Sequence, residues 1–146
     1  MEYRMTAWYQ FFKAVLALAF LAYGAGQVLS GIGKGIGLDG IITLAWGIVA
    51  IILGYVFATT TIISIAVSGK QATFTNLLVR KETVTISQML IGESYLSQGF
   101  VSLRINAGKG AKNLEIMFFR DWKNMVLELE EETGVPIPNK KGYLKY

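Results

Sequence analysis

The chain has 146 residues, of which 53% are hydrophobic and only 16% charged, and a formal charge of +4. It is too apolar for an ordinary soluble domain of this length, and its spread-out positive charge lacks the basic face that nucleic acid requires. It contains no cysteine and no histidine, which excludes disulfide, thiolate and iron–sulfur chemistry. The same absence removes the commonest general base and most transition-metal sites built from side chains.

The charges divide the chain in two. No Asp, Glu, Lys or Arg lies between Lys13 and Lys34, or between Asp39 and Lys70, whereas from Lys70 onward eleven basic face eight acidic residues. The run Ala14 to Ile32, "AVLALAFLAYGAGQVLSGI", is long enough to cross a hydrocarbon core of about 30 Å at about 1.5 Å per residue. It is preceded by "WYQFFK", whose aromatic rings suit the headgroup level and whose Lys13 can snorkel. The residues before it, with Arg4, are expected to extend as an interfacial helix. A basic start, an apolar run and "AYGAG" also imitate a secretory signal peptide, but the apolar run continues past that cleavage-like site.

The connection "GIGKGIGLDG" matches G-x-G-x-x-G at Gly35, Gly37 and Gly40. That fingerprint binds a dinucleotide only where a strand enters and a soluble helix leaves; here apolar helices flank it. The Walker pattern fails as well, with Val28 and Gly35 at two of its required positions. The expectation is a hairpin turn in which Gly33, Gly35 and Gly37 supply backbone freedom, Lys34 marks the far face and Asp39 caps the next helix.

The second apolar run predicts a helix from about Leu38 to Thr60, after which β-branched "TTTIISIAV" favours a strand. Small residues recur at Ala22, Gly26 and Ser30 on the first helix and at Ala50, Gly54 and Ala58 on the second. They are expected to face each other or a neighbouring subunit, or else reflect the general abundance of Gly and Ala in such helices. Arg4, Lys13, Lys70, Arg80 and Lys81 flank the two spans and are expected at the membrane surface, which places both termini in the cytoplasm by the positive-inside rule.

The second half alternates like strands in "QATFT", "TVTIS" and "FVSLRINA", and the last, with "GKGAKN" and "LEIMFF", predicts a β-hairpin. "VRKETVTISQML" reads equally as strand or helix. In "RDWKNMVLELEEETG", Trp122, Met125, Val126 and Leu129 make one apolar helix face between Asp121 as N-cap and Gly134 as C-cap. Glu128, Glu130, Glu131 and Glu132 are expected on its solvated side. "VPIPNKKGYLKY" predicts an extended basic arm.

The expected fold is thus a membrane α-helical hairpin of two transmembrane helices followed by a small α+β domain, an antiparallel sheet or partly open barrel closed by a C-terminal helix. The expected divisions are residues 1–62 for the interfacial segment and hairpin, 63–134 for the cytoplasmic domain and 135–146 for the tail. This order of elements, over roughly Ser64 to Gly134, resembles small prokaryotic membrane-tethered pleckstrin-homology-like domains. The resemblance implies a scaffold for protein contacts or membrane-proximal assembly, with no catalytic residue to carry over; an unrelated small α+β domain is the alternative.

No catalytic, cofactor or metal residue is proposed from the sequence, and Glu82, Glu93, Glu115 and Asp121 lie in separate elements without an acid–base spacing. Two functional expectations follow. One is a non-catalytic membrane scaffold or accessory subunit whose partners are lipids and other membrane subunits or further copies. The other is a sensor reading anionic headgroups through Lys70, Arg80, Lys81, Lys109 and Lys112, with a structural membrane protein of a virus-like particle as a third option.

Overall fold

The computed structural model describes residues 1–93, 100–108 and 110–144. Strand β1 (Glu2–Arg4) leads into helix α1 (Ala7–Lys34), which turns into α2 (Leu38–Thr60). Strands β2 (Ile62–Ser68), β3 (Gln71–Asn76), β4 (Lys81–Glu93), β5 (Val101–Ala107) and β6 (Gly110–Leu114) follow. A 3₁₀ turn at Ile116–Phe118, helix α3 (Trp122–Thr133) and the single turn α4 (Lys140–Tyr143) come last among the described residues.

Both α1 and α2 are long and apolar enough to cross a membrane. They pack through backbone more than through side chains. A Cβ on Gly24 would lie 2.8 Å from the Gly47 carbonyl oxygen, and one on Gly47 would lie 2.7 Å from the Val28 nitrogen. The buried positions Ala17, Gly24 and Gly31 on α1 and Gly40, Gly47 and Gly54 on α2 recur at seven-residue spacing, the repeat of helices that cross with a left-handed supercoil. Their outward faces carry large apolar side chains, including Leu18, Leu29, Trp46 and Ile52.

The six strands form one antiparallel sheet in the order β1 to β6. The residues before α1 are therefore a strand and not an interfacial helix: Glu2, Tyr3 and Arg4 pair with Ala66, Ile65 and Ser64 of β2. Pairing prevails because the α2 exit brings β2 alongside the chain start and offers it an edge. The helical hairpin is consequently an insertion between two neighbouring strands. Beyond β1, Met5 bridges Phe119, so the sheet's first edge is covered by the segment after the 3₁₀ turn.

The ambiguous "VRKETVTISQML" is a strand from Lys81 onward. The first part of β4 pairs with β3 and the remainder with β5, with a register shift between Ile86 and Gln88, as a bulge bends a strand shared by two sheet regions. "LEIMFF" leaves the ladder after Leu114 and becomes the 3₁₀ turn, because Leu114, Ile116 and Phe119 all enter the core, a spacing that a strand of period two does not give. Met125, Val126 and Leu129 of helix α3, all fully buried, join Ile65, Leu103 and Leu114 of the sheet in one core. Asp121 stands at its N-cap position in the left-handed region without a capping side-chain bond, and left-handed Gly134 closes it with a bond to the Glu130 carbonyl.

The tail is not a free arm. Ile137 is buried in the same core, its N–H donates to the Glu130 carboxylate at 2.7 Å, and the Lys140 ammonium pairs with that carboxylate. Nor is the acidic run of α3 simply solvated. Glu128 accepts the Tyr3 hydroxyl and Glu132 accepts the Gly69 N–H, so α3 is tied to β1, to the β2–β3 turn and to the tail. Lys145 and Tyr146 of the expected arm lie outside the described residues.

Candidate functional site at the foot of the hairpin

Where the hairpin meets the sheet, backbone bonds fix both of its feet. The Met5 N–H donates to Ile63 at 2.7 Å, the Thr6 N–H to Phe118 at 2.8 Å and the Leu77 N–H to Thr61 at 3.1 Å. Thr59, Thr60 and Thr61 donate their hydroxyls to carbonyls one turn back in α2, which satisfies polar groups at the end of an apolar helix. Between the feet opens a cavity of about 790 Å³ lined by Lys13, Phe57, Thr60, Arg104, Asn113 and Glu115 among others.

Lys13 is the centre of this site. Only 9% of it is exposed, and its ammonium lies 2.9 Å from the Glu115 carboxylate. Tyr9 and Phe57 flank it, with ring centroids 5.1 and 5.0 Å away. The Tyr9 hydroxyl donates to the same carboxylate at 3.3 Å, and the Tyr9 ring stacks on Phe118. A cation in such a place needs an opposite charge, because a buried unpaired ammonium costs several kcal/mol. The expectation that Lys13 snorkels to a membrane surface is therefore corrected: it is a buried clamp between α1 and the segment after β6.

The remaining basic positions do not form one patch. Arg4 is exposed and paired with Glu2 on its own strand. Lys70 sits in the β2–β3 turn, at the opposite end of β2 from α2, about 20 Å away at 3.3 Å per residue. Lys112 pairs with Glu82 at 2.5 Å, and Lys109 lies outside the described residues. Arg80 does stand beside α2: its guanidinium donates to the Tyr55 hydroxyl at 3.2 Å. Of the expected sensor's four described residues, Lys70 and Arg80 thus stand at opposite ends of β2 and β3.

On α1, Ala22, Gly26 and Ser30 are exposed on the outer surface, and the small positions turned to α2 are Ala17, Gly24 and Gly31. Ala22 and Gly24 differ by about 200° around a helix, so the fourfold spacing selected the other side. Ala50, Gly54 and Ala58 of α2 are buried. At the far end the connection is Gly35 to Gly37, with Gly33 and Lys34 inside α1 and left-handed Gly35 as its C-cap. Gly37 is the N-cap of α2, so Asp39 does not cap it; Asp39 lies in the first turn, where a carboxylate suits the helix dipole. Lys34 donates to Thr43 across the turn at 3.1 Å.

Sequence reasoning missed Glu115 as the partner of Lys13 and Asn76 as an organiser of the β3–β4 loop. Lys13 and Glu115 are 102 residues apart, and their only local signal was a lysine at the border of an apolar run. Two titrations record contacts outside the helical hairpin. Burial, and then the hydrogen bond to Glu128, push the Tyr3 hydroxyl up to about 12. The Lys140 bond, followed by the Ile137 N–H, holds the Glu130 carboxyl below its ordinary value. The chain matches no family model, no curated protein and no solved structure.

Proposed function

We propose that this chain is a non-catalytic integral membrane scaffold or accessory subunit. In this reading α1 and α2 cross a cell membrane as a hairpin, the sheet domain and both termini lie on the cytoplasmic face, and the domain, of pleckstrin-homology-like design, makes contacts with other membrane subunits or further copies. The observation that carries it is the insertion of the hairpin between adjacent strands β1 and β2, with both feet bonded to the sheet. A domain joined by one flexible linker would tumble; one joined by two short rigid feet, with Lys13 clamped to Glu115, presents a fixed face to its neighbours. The outward apolar side chains of both helices support immersion in lipid.

Purification of the full chain from native membranes in mild detergent is expected to bring other subunits or further copies with it. Recovery as a lone monomer overturns the scaffold reading. For topology, the cysteine-free chain allows Ile36→Cys, at the fully exposed tip of the hairpin, to be labelled in intact cells by an impermeant maleimide. Labelling is expected from outside, and labelling only after lysis reverses the orientation.

A further inference from the structure

Large apolar side chains at the tip of a short loop normally fold inward, and the β3–β4 loop does not follow that rule. Leu78 is 43% exposed and Val79 70% exposed. Val79 is moreover held at φ 59°, a left-handed conformation that β-branched residues avoid. The loop is built, not slack. The Asn76 side-chain oxygen accepts the N–H groups of both Leu78 and Arg80 at 3.0 Å, and the Val79 N–H donates back to the Asn76 carbonyl at 2.9 Å.

Three bonds fix the loop's height against α2. The Asn76 amide donates to the Thr59 carbonyl at 3.2 Å, the Leu77 N–H to Thr61, and the Arg80 guanidinium to the hydroxyl of Tyr55, which stands five residues before the end of α2. Five residues of helix are about 8 Å. Lys13 faces Phe57, so Arg80 reaches at least the level of the exposed aromatic collar formed by Trp8 and Phe11 at the start of α1. That level is the one aromatic side chains take at a membrane interface.

We infer that residues 77–81 form a third membrane contact, in which Leu78 and Val79 dip into the headgroup layer and Arg80 and Lys81 bind the phosphates of anionic lipids. This rests on the reading that the hairpin crosses a bilayer. The occupant is a lipid surface because the loop is bonded to the last turns of the helix that would leave it, and because an apolar tip followed at once by two cations matches the order of acyl boundary and phosphate. The contact sets the tilt of the domain, since the loop and the collar of α1 border different helices of the hairpin.

The test uses the full chain reconstituted in vesicles of phosphatidylcholine with or without phosphatidylglycerol. Nitroxide labels are placed singly at Val79→Cys, Lys70→Cys and Leu53→Cys, and depth is read from collision with oxygen against a water-soluble nickel chelate. Label 53 is expected in hydrocarbon, label 70 in water and label 79 between them. Arg80→Gln with Lys81→Gln should raise label 79 toward water in the anionic vesicles only, the ratio of immersed to lifted loop falling about fivefold per charge removed. Label 79 as aqueous as label 70, with label 53 deep, overturns the loop contact and leaves the hairpin reading intact. Immersion of label 79 that ignores the double substitution overturns the assignment to anionic headgroups. Label 53 in water overturns the hairpin reading and this inference with it.

Discussion

Between α1 and α2 the closest approaches include glycine and backbone: Gly24 lies against Gly47, and Gly31 against Leu44 and the carbonyl of Gly40. Between the sheet and α3 it is Ile65, Leu103, Met125 and Leu129, large side chains with no exposed surface. On the proposed reading, in which the hairpin crosses a bilayer, the contrast is that of two solvents. A sheet and helix in water are driven together by removal of apolar area and gain from bulk. Two helices in lipid lose nothing by facing acyl chains, so their association needs close backbone approach and dispersion contacts.

Six substitutions, one of them a control, sharpen that contrast. The largest effect belongs to the aqueous core: Leu129→Ala is expected to cost about 4 kcal/mol from lost transfer energy and the cavity left behind. Denaturant unfolding of the chain in detergent should show it as loss of the sheet with helix signal retained. Simultaneous collapse of both would mean that the two regions are one cooperative unit.

At the junction, Glu115→Gln should cost about 3 kcal/mol, because it strands the buried Lys13 ammonium. Lys13→Met should cost under about 1 kcal/mol, since Glu115 is less buried, its side chain 41% exposed, and can return to water while the lysine stem is replaced by an apolar one. The asymmetry is the measurement, and equal losses would count against a buried clamp. In the hairpin, Gly47→Ala adds only a methyl group, yet it meets backbone atoms on α1 within 3 Å. It is expected to cost about 2 kcal/mol by forcing the helices apart. Gly26→Ala, where a Cβ meets nothing within 4 Å, serves as its control and should be neutral or slightly stabilising. Val79→Gly is expected to gain about 1 kcal/mol of domain stability by relieving the left-handed valine.

The helical hairpin was legible because charge is absent over long runs and returns at Lys34, Asp39 and Lys70; length and polarity are local properties. Helix α3 was legible for a similar reason, its i, i+3, i+4, i+7 pattern standing between Asp121 and Gly134. What the chain start would pair with was not legible. Three residues of strand before a helix carry no periodicity, and β1 exists only because α2 returns β2 beside it. The clamp was hidden by the same geometry: Lys13 and Glu115 meet only after the hairpin and all six strands are in place. The glycine stripe failed differently. Both the fourfold and the sevenfold spacing of small residues occur on α1, and the partner surface, which sequence spacing does not contain, selects between them.

The smallest expected effect separates the domain's own polar ties from its core. With the Glu130 carboxyl held below its ordinary value of 4.5 by Lys140 and the Ile137 N–H, the tail contact is fully present above that value. It is lost as pH falls through the lower, folded value. Hydrogen exchange at the Ile137 amide, corrected for intrinsic rates, should therefore be slow and constant from pH 6 to pH 8 and accelerate in acid. Glu130→Gln should remove the step while leaving Ile137 buried; an acid step that survives in that variant would assign it to another carboxylate. The Tyr3 hydroxyl, pushed up to about 12 by burial and Glu128, has the opposite sign. Its contribution holds below the ordinary tyrosine value of 10.0 and fades as pH rises through the folded one, because the unfolded chain then gives up its proton first. Acid should thus loosen the Glu130 tie to the tail, and alkali the Tyr3 tie to α3.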